Sequence, residues 1–131
     1  MRILRTPLWT INLPDEWEEE EDEDEEGISL FHPDGSGTLR ISAIERDEEV
    51  DDEFLDYMAA EHLEAGAEPE EVEYGDFDGL ELSYGDDDHY WREWYLRAGT
   101  VMLYVTYHCP LADEGLEDDT VDAVLETLSL A

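Results

Sequence analysis

Four histidines, one cysteine and an excess of carboxylates are the side chains with which this sequence could do chemistry. His32, His62, His89 and His108 are scattered, and no HExxH, Cys-His, GxSxG or phosphate-loop spacing links them to a partner. Cys109 follows His108 directly, and neighbours in a strand point to opposite faces, so the two do not make a nucleophilic dyad. A lone cysteine excludes an intrachain disulfide; beside Pro110, at the end of an apolar run, it reads as a buried core thiol. Asp86-Asp87-Asp88-His89 offers oxygen and imidazole ligands in one tetrapeptide, but a metal needs convergent ligands, and a solvated turn in an acidic chain has the same composition. Asp22 to Gly27 imitates the start of an EF-hand loop, with acids at the first, third and fifth positions and glycine at the sixth. Pro33 stands where the bidentate glutamate must be, and no helix is expected on either side. Acid–base pairs cannot be singled out among so many carboxylates. The sequence assigns no catalytic residue, no metal ligand and no cofactor, and the expectation is that the chain is not an enzyme.

The carboxylates carry a message as a set. There are 40 Asp and Glu against 6 arginines and no lysine, for a formal net charge of −34 over 131 residues. A folded chain of this mass exposes roughly 7,000 Å², so that many surface carboxylates sit about 13 Å apart. The Debye length is about 8 Å at physiological ionic strength and about 3 Å in molar salt, so neighbours repel in the first solvent and are nearly independent in the second. Lysine stems are replaced by short, strongly hydrated acids, and the cations retained are arginines, suited to bidentate pairing. The acids occur in every segment rather than in one tail. This is the composition expected of a protein from a salt-accumulating cytoplasm. The same charge excludes nucleic acid as an electrostatic partner. The first residues lack the apolar stretch of a signal peptide, and no segment reads as membrane-spanning or lipidated, so the expected location is cytoplasmic.

The apolar residues, 41% of the chain with four Trp and seven Tyr, suffice for one core, and the length fits a single domain over 1–131. Leu8 to Leu13 alternates and predicts a strand closed by Pro14. Nine consecutive acids, Glu18 to Glu26, lie between Trp17 and the apolar Ile28–Leu30, which predicts a solvated hairpin or long loop anchored at both ends. Leu39, Ile41 and Ala43 alternate with Arg40 and Ser42 as a half-buried strand. Val50, Phe54, Tyr57 and Met58 share one helical face, predicting a helix over 51–65 capped by Asp47 or Asp51, with Gly66 just past its end. Val72–Tyr74, Phe77–Tyr84, His89–Arg97 and Thr100–His108 predict strands, and Val121, Val124, Leu125 and Leu128 a last helix over 118–128 capped by Asp118 or Asp119. Antiparallel strands and two helices in this order predict an α+β domain: a sheet of about six to seven strands packed with two helices.

The aromatic hairpin is the best candidate for a binding surface. With Ala98-Gly99 as a two-residue turn, Leu96 faces Val101, Trp94 faces Leu103, Arg92 faces Val105 and Tyr90 faces Tyr107, making a core face. The other face carries Trp91, Glu93, Tyr95 and Arg97 beside Met102, Tyr104 and Thr106. A helix lying over it, with Glu93 and Arg97 paired at the edge, is the structural reading. A partner-binding patch of Trp91, Tyr95, Arg97, Met102 and Tyr104 is the functional one, since Trp, Tyr and Arg are the usual anchors.

The segments "INLPDEW", "ISLFHPDGSGTLRISAIE", "YGDFDGLELSY", "YWREWYLRAGTVMLYVTY" and the closing "VLETLSL" together resemble the PsbP-like α/β/α sandwich superfamily over nearly the whole chain. The shared features are fold features: the LP-x-x-W segment, the turn glycines and the final helix. The resemblance implies a binding or assembly module, and no functional residue of a known member maps onto this chain. The acid run at 18–26 departs from the pattern.

The expected function is that of a non-enzymatic binding or assembly protein adapted to high salt. Its partner is an unknown protein or a second copy, as a homodimer through the aromatic sheet face or an edge, with neither nucleic acid nor membrane involved. The alternative is an immunity-type inhibitor whose acidic surface, residues 18–26 above all, neutralises a basic toxin. A hydrolase with a carboxylate site is the third and weakest reading.

Overall fold

The computed structural model describes residues 2–21 and 27–131. Ten strands form two antiparallel sheets. The larger has the order β3-β4-β5-β9-β8-β7-β6, with β3 Glu18–Glu21, β4 Gly27–Phe31, β5 Thr38–Glu45, β6 Glu70–Tyr74, β7 Phe77–Gly85, β8 His89–Ala98 and β9 Val101–Pro110. The smaller joins β1 Arg2–Arg5 and β10 Ser129–Leu130 to either side of β2 Trp9–Leu13. Helices α1 Asp52–Met58 and α2 Ala60–Glu64 follow β5, and α3 Asp118–Leu125 precedes β10. The α+β class and the seven-stranded antiparallel sheet are as expected.

The sheet separates two cores. On one face Trp9, Ile11 and Leu13 of β2 and Val121, Val124, Leu125 and Leu128 around α3 pack on Leu39, Ile41, Trp94, Leu96, Leu103 and Val105. Cys109 is buried here as well. On the other face α1 and α2 cover Leu82, Tyr95 and Met102 with Val50, Leu55 and Ala59. Alternation along each strand, apolar to one layer and mixed to the other, makes this three-layer arrangement the way to bury both sets.

Several details differ from the sequence expectations. The β8–β9 turn is Gly99-Thr100, because Ala98 pairs with Val101. Gly99, at φ 59°, then occupies the first turn position, which in a type II′ turn wants glycine. The register moves by two residues: Leu96 faces Leu103, Trp94 faces Val105, Arg92 faces Tyr107 and Tyr90 faces Cys109. A two-residue shift leaves every side chain on its expected face. The first helix is divided at Ala59, and its buried residues are Leu55 and Ala59, whereas Tyr57 is 74% exposed. Asp51 caps it, accepting from the Phe54 N–H at 2.8 Å. α3 has no side-chain cap, and it ends at Leu125 rather than Leu128. Glu117, at its cap position, instead accepts from the Tyr107 hydroxyl and the Gly37 N–H, each at 2.8 Å. Of the acid run, Glu18–Glu21 forms an exposed strand paired to Ile28–Phe31, the expected hairpin. Residues 22–26, and with them most of the EF-hand-like segment, lie outside the described residues. Strands β1 and β10 have no counterpart in the expectations.

Candidate functional site

Three groupings of polar and aromatic side chains are built on the central hairpin. The first lies on the core side. Arg92 is almost fully buried on β8, and its guanidinium meets Glu81 of β7 at 3.1 Å and Asp122 of α3 at 2.8 Å, with Asp118 at 3.5 Å. The Trp94 indole N–H and the Tyr74 hydroxyl also donate to Glu81, at 2.8 and 3.0 Å, and the guanidinium lies over the Trp94 ring at 4.6 Å. Burial works against the charge on Arg92, but the bond to Asp122 and the fields of Glu81, Asp122 and Asp118 hold it protonated. Burial and the Glu81 carboxylate push the Tyr74 phenol up. The group joins α3 to the sheet: Glu81 and Asp122 accept hydrogen bonds from the guanidinium, whereas its Nη1 and Asp118 Oδ1, both buried and 3.5 Å apart, make none.

The second grouping lies on the opposite face. Glu93 of β8 is 3% exposed. Its carboxylate accepts from the Tyr84 hydroxyl at 2.6 Å and from the Tyr104 hydroxyl, and the His62 Nε2 of α2 stands at 2.9 Å. Burial first, then these bonds to Glu93, raise the Tyr84 and Tyr104 phenols. Tyr95, buried beside the same carboxylate, is pushed up to about 12. A buried carboxylate is tolerated only when it is hydrogen-bonded and paired. Here both oxygens are taken by residues of β7, β9 and α2, so Glu93 fastens α2 to the sheet. The expected Glu93–Arg97 pair does not form.

The third grouping is a row of rings. From His62 it runs to Tyr84 at 5.5 Å, to Trp91 at 6.4 Å and to His108 at 4.8 Å, with His89 flanking Trp91 and His108. Register places Tyr84 opposite Trp91 and Trp91 opposite His108 on three adjacent strands. The row crosses from the helix-covered part of the face to a part that no helix among the described residues covers. On that bare part Trp91 and His108 are joined by Thr106, Thr38, Phe31 and Ser29 and by Arg40, which donates to Ser42 Oγ at 2.9 Å, all half-buried. None of these sheet positions carries a carboxylate. At the other end of the same face, α1 and the β6–β7 edge enclose a cleft of about 590 Å³ lined by Asp52, Asp56, Glu71, Glu73 and Asp78. Arg97 lies in this cleft, bridged to Asp52 and, at 3.4 Å, to Asp78.

The structure therefore splits the five residues proposed from the sequence as a partner-binding patch. Tyr95 and Met102 are buried beneath the helical layer, and Arg97 is held in the acidic cleft. Tyr104 sits at the boundary, tied to Glu93, and Trp91 alone lies on the bare part. Ser29, Phe31, Thr38 and His108 are the members that sequence reasoning missed. The signal that could have found them was available: in β4, β5 and β9 the positions opposite the core residues include Ser29, Phe31, Thr38, Arg40, Thr106 and His108, with no acid among them. Among the described residues, no three His, Cys, Asp or Glu side chains converge as for a metal ion. No helix among them is long and apolar enough to cross a membrane.

No protein-family model matches the chain, and no curated protein matches it. Solved structures do. A crystal structure from Bacteroides thetaiotaomicron covers 94% of this chain at a TM-score of 0.71 and 19% identity. The match takes in 45% of that protein, so this chain spans less than half its length. LpqN of Mycobacterium tuberculosis, a protein involved in cell envelope biogenesis, covers 94% of this chain and 83% of its own, at a TM-score of 0.62 and 16% identity. The cyanobacterial PsbP of Synechocystis sp. PCC 6803 covers 94% of this chain and 86% of its own, at a TM-score of 0.45 and 9% identity. At such identities the likeness is one of fold.

Proposed function

We propose that this chain is a non-enzymatic binding or assembly protein of a concentrated-salt cytoplasm, and that it meets its partner through the bare part of the sheet around Trp91. The observation that carries the reading is the contrast within one sheet face. Glu18 and Glu20 on β3, and Glu71, Glu73 and Asp78 on β6 and β7, hold carboxylates to the solvent at its two sides. Between them Ser29, Phe31, Thr38, Thr106, His108 and Trp91 hold none, and Arg40, opposite both Ser29 and Thr106, places a guanidinium among them. A chain that depends on hydrated acids to keep its surface dissolved has reason to omit them where solvent is displaced. Trp91, stacked between Tyr84 and His108, supplies the rigid aromatic anchor common at interface centres. Support for a non-enzymatic role comes from Glu93 and Arg92, the buried ionisable groups of the hairpin, whose charges are already engaged by neighbours within the fold.

The test is recovery of partners from cell extract at about 2 M KCl, where exposed ion pairs are screened, using the chain and its Thr38→Glu variant. The reading expects a protein retained by the first and lost by the second. Equal retention by both, or retention by neither, contradicts it. The alternative, an inhibitor of a basic toxin, has in its favour the four exposed glutamates of β3. It predicts capture that weakens steeply between about 0.1 and 1 M salt.

A further inference from the structure

We infer that α1 and α2 form a flap whose seat on the sheet is set by ionic strength: in concentrated salt it lies closed, and in dilute salt it lifts. The segment 51–65 carries six acids and no arginine. Its grip on the sheet is slight. Of its residues Leu55 and Ala59 are buried, Phe54, Met58 and Leu63 are half-buried, and α2 buries nothing. Two polar clasps add to this contact. His62 meets Glu93 from α2, and at the start of α1 Arg97 bridges to Asp52 and donates to the Val50 carbonyl at 3.3 Å. Gly66, at φ 89°, follows the segment in the left-handed region with nothing within 4 Å of where a Cβ would lie, so the chain can swing there without displacing a neighbour.

Charge opposes the closed position. Across the cleft of about 590 Å³, Asp52 and Asp56 of α1 face Glu71, Glu73 and Asp78 of the β6–β7 edge, with Arg97 between them. Three acids and one arginine leave the sheet wall at −2, and two acids leave the helix wall at −2. Asp56, Glu71 and Glu73 have no cationic partner among the described residues. A cleft of that volume is on the order of 8 Å across, which equals the Debye length of about 8 Å at physiological ionic strength and well exceeds the roughly 3 Å of molar salt. Salt therefore removes most of the repulsion between the walls, whereas the Arg97–Asp52 bridge, in contact, keeps a larger share of its attraction. A lifted flap uncovers Leu82, Tyr95 and Met102 and extends the apolar part of the face that carries Trp91.

Amide hydrogen exchange in about 3, 1 and 0.2 M KCl tests this, with strands β8 and β9 as the internal reference. The Ala59 and Leu63 N–H groups donate within the helical segment at 3.0 and 3.1 Å. Between the highest and the lowest salt they should lose protection relative to the strands by at least about three-fold. Glu71→Gln combined with Glu73→Gln, both at exposed positions, should remove most of that salt dependence. Arg97→Gln should raise the relative exchange of the helices in the lowest salt by at least about five-fold. Should the Arg97 variant fail to fold, the pair of glutamine replacements decides alone. Parallel loss of protection in helices and strands overturns the inference, as does a ratio indifferent to salt or to the replacements at Glu71 and Glu73.

Discussion

His108 shows how much a side chain on this sheet owes to its neighbours. Partial burial, and then the nearby His89, hold its imidazole below the ordinary histidine range. A histidine whose folded value is depressed takes up a proton more readily when the chain is unfolded. Its presence therefore lowers stability as pH falls through about 6.5, and the loss is complete below the folded value. The melting temperature of His108→Gln minus that of the parent should accordingly grow between pH 7.5 and 5.5; a constant difference would show that the imidazole titrates alike in both states. At this scale the sequence was least informative. His62, Tyr84, Glu93 and Tyr104 come from three strands and a helix, and nothing in their spacing announces that they meet. The acids of the Arg92 network were equally hidden within a total of 40, because an abundant residue type carries no positional signal.

Elements were far more legible, because burial imposes a period. The two-residue alternation of β8 and β9 assigned Trp94 to the core and Trp91 to the other face, and a register off by two residues left that assignment intact. Trp94→Ala should cost about 3–5 kcal/mol in chemical denaturation, since it empties a fully buried site and frees Glu81 of a donor. Trp91→Ala should cost about 1 kcal/mol, since its ring is only half-buried. Equal large losses would mean that the bare face is sealed within the monomer. The β6–β7 turn makes a second case. Gly75 has φ 62°, and a Cβ there would lie 1.9 Å from the carbonyl oxygen of Leu128, which accepts the Asp76 N–H at 3.0 Å. Gly75→Ala must both strain the backbone and push the segment that follows α3 off the turn, a loss of about 2 kcal/mol or more; an unchanged denaturation midpoint would contradict this packing. The elements that escaped sequence reading are those too short for a period. β1 is four residues of which Leu4 alone is partly buried, and β10 is two residues defined only by pairing with β2. Tyr57 was placed inside on spacing alone, but the division at Ala59 turns Leu55 inward and leaves Tyr57 in solvent.

At the scale of the whole molecule charge dominates, with 40 Asp and Glu against 6 arginines; the proposed partner surface stands out only if the acids elsewhere serve the solvent. Sheet and helices form a conventional three-layer domain, shared in outline with proteins of 16 to 19% identity, so fold does not distinguish this chain from them. The most direct test of the account is the melting temperature as KCl rises from about 0.05 to 3 M, a range over which the Debye length falls from more than 10 Å to about 2 Å. The account predicts a steep climb that continues beyond 1 M. A plateau near 0.2 M, where ordinary screening is nearly complete, would contradict it; the carboxylates would then answer to a cationic partner, and the acidic hairpin rather than the bare sheet face would be the surface to pursue.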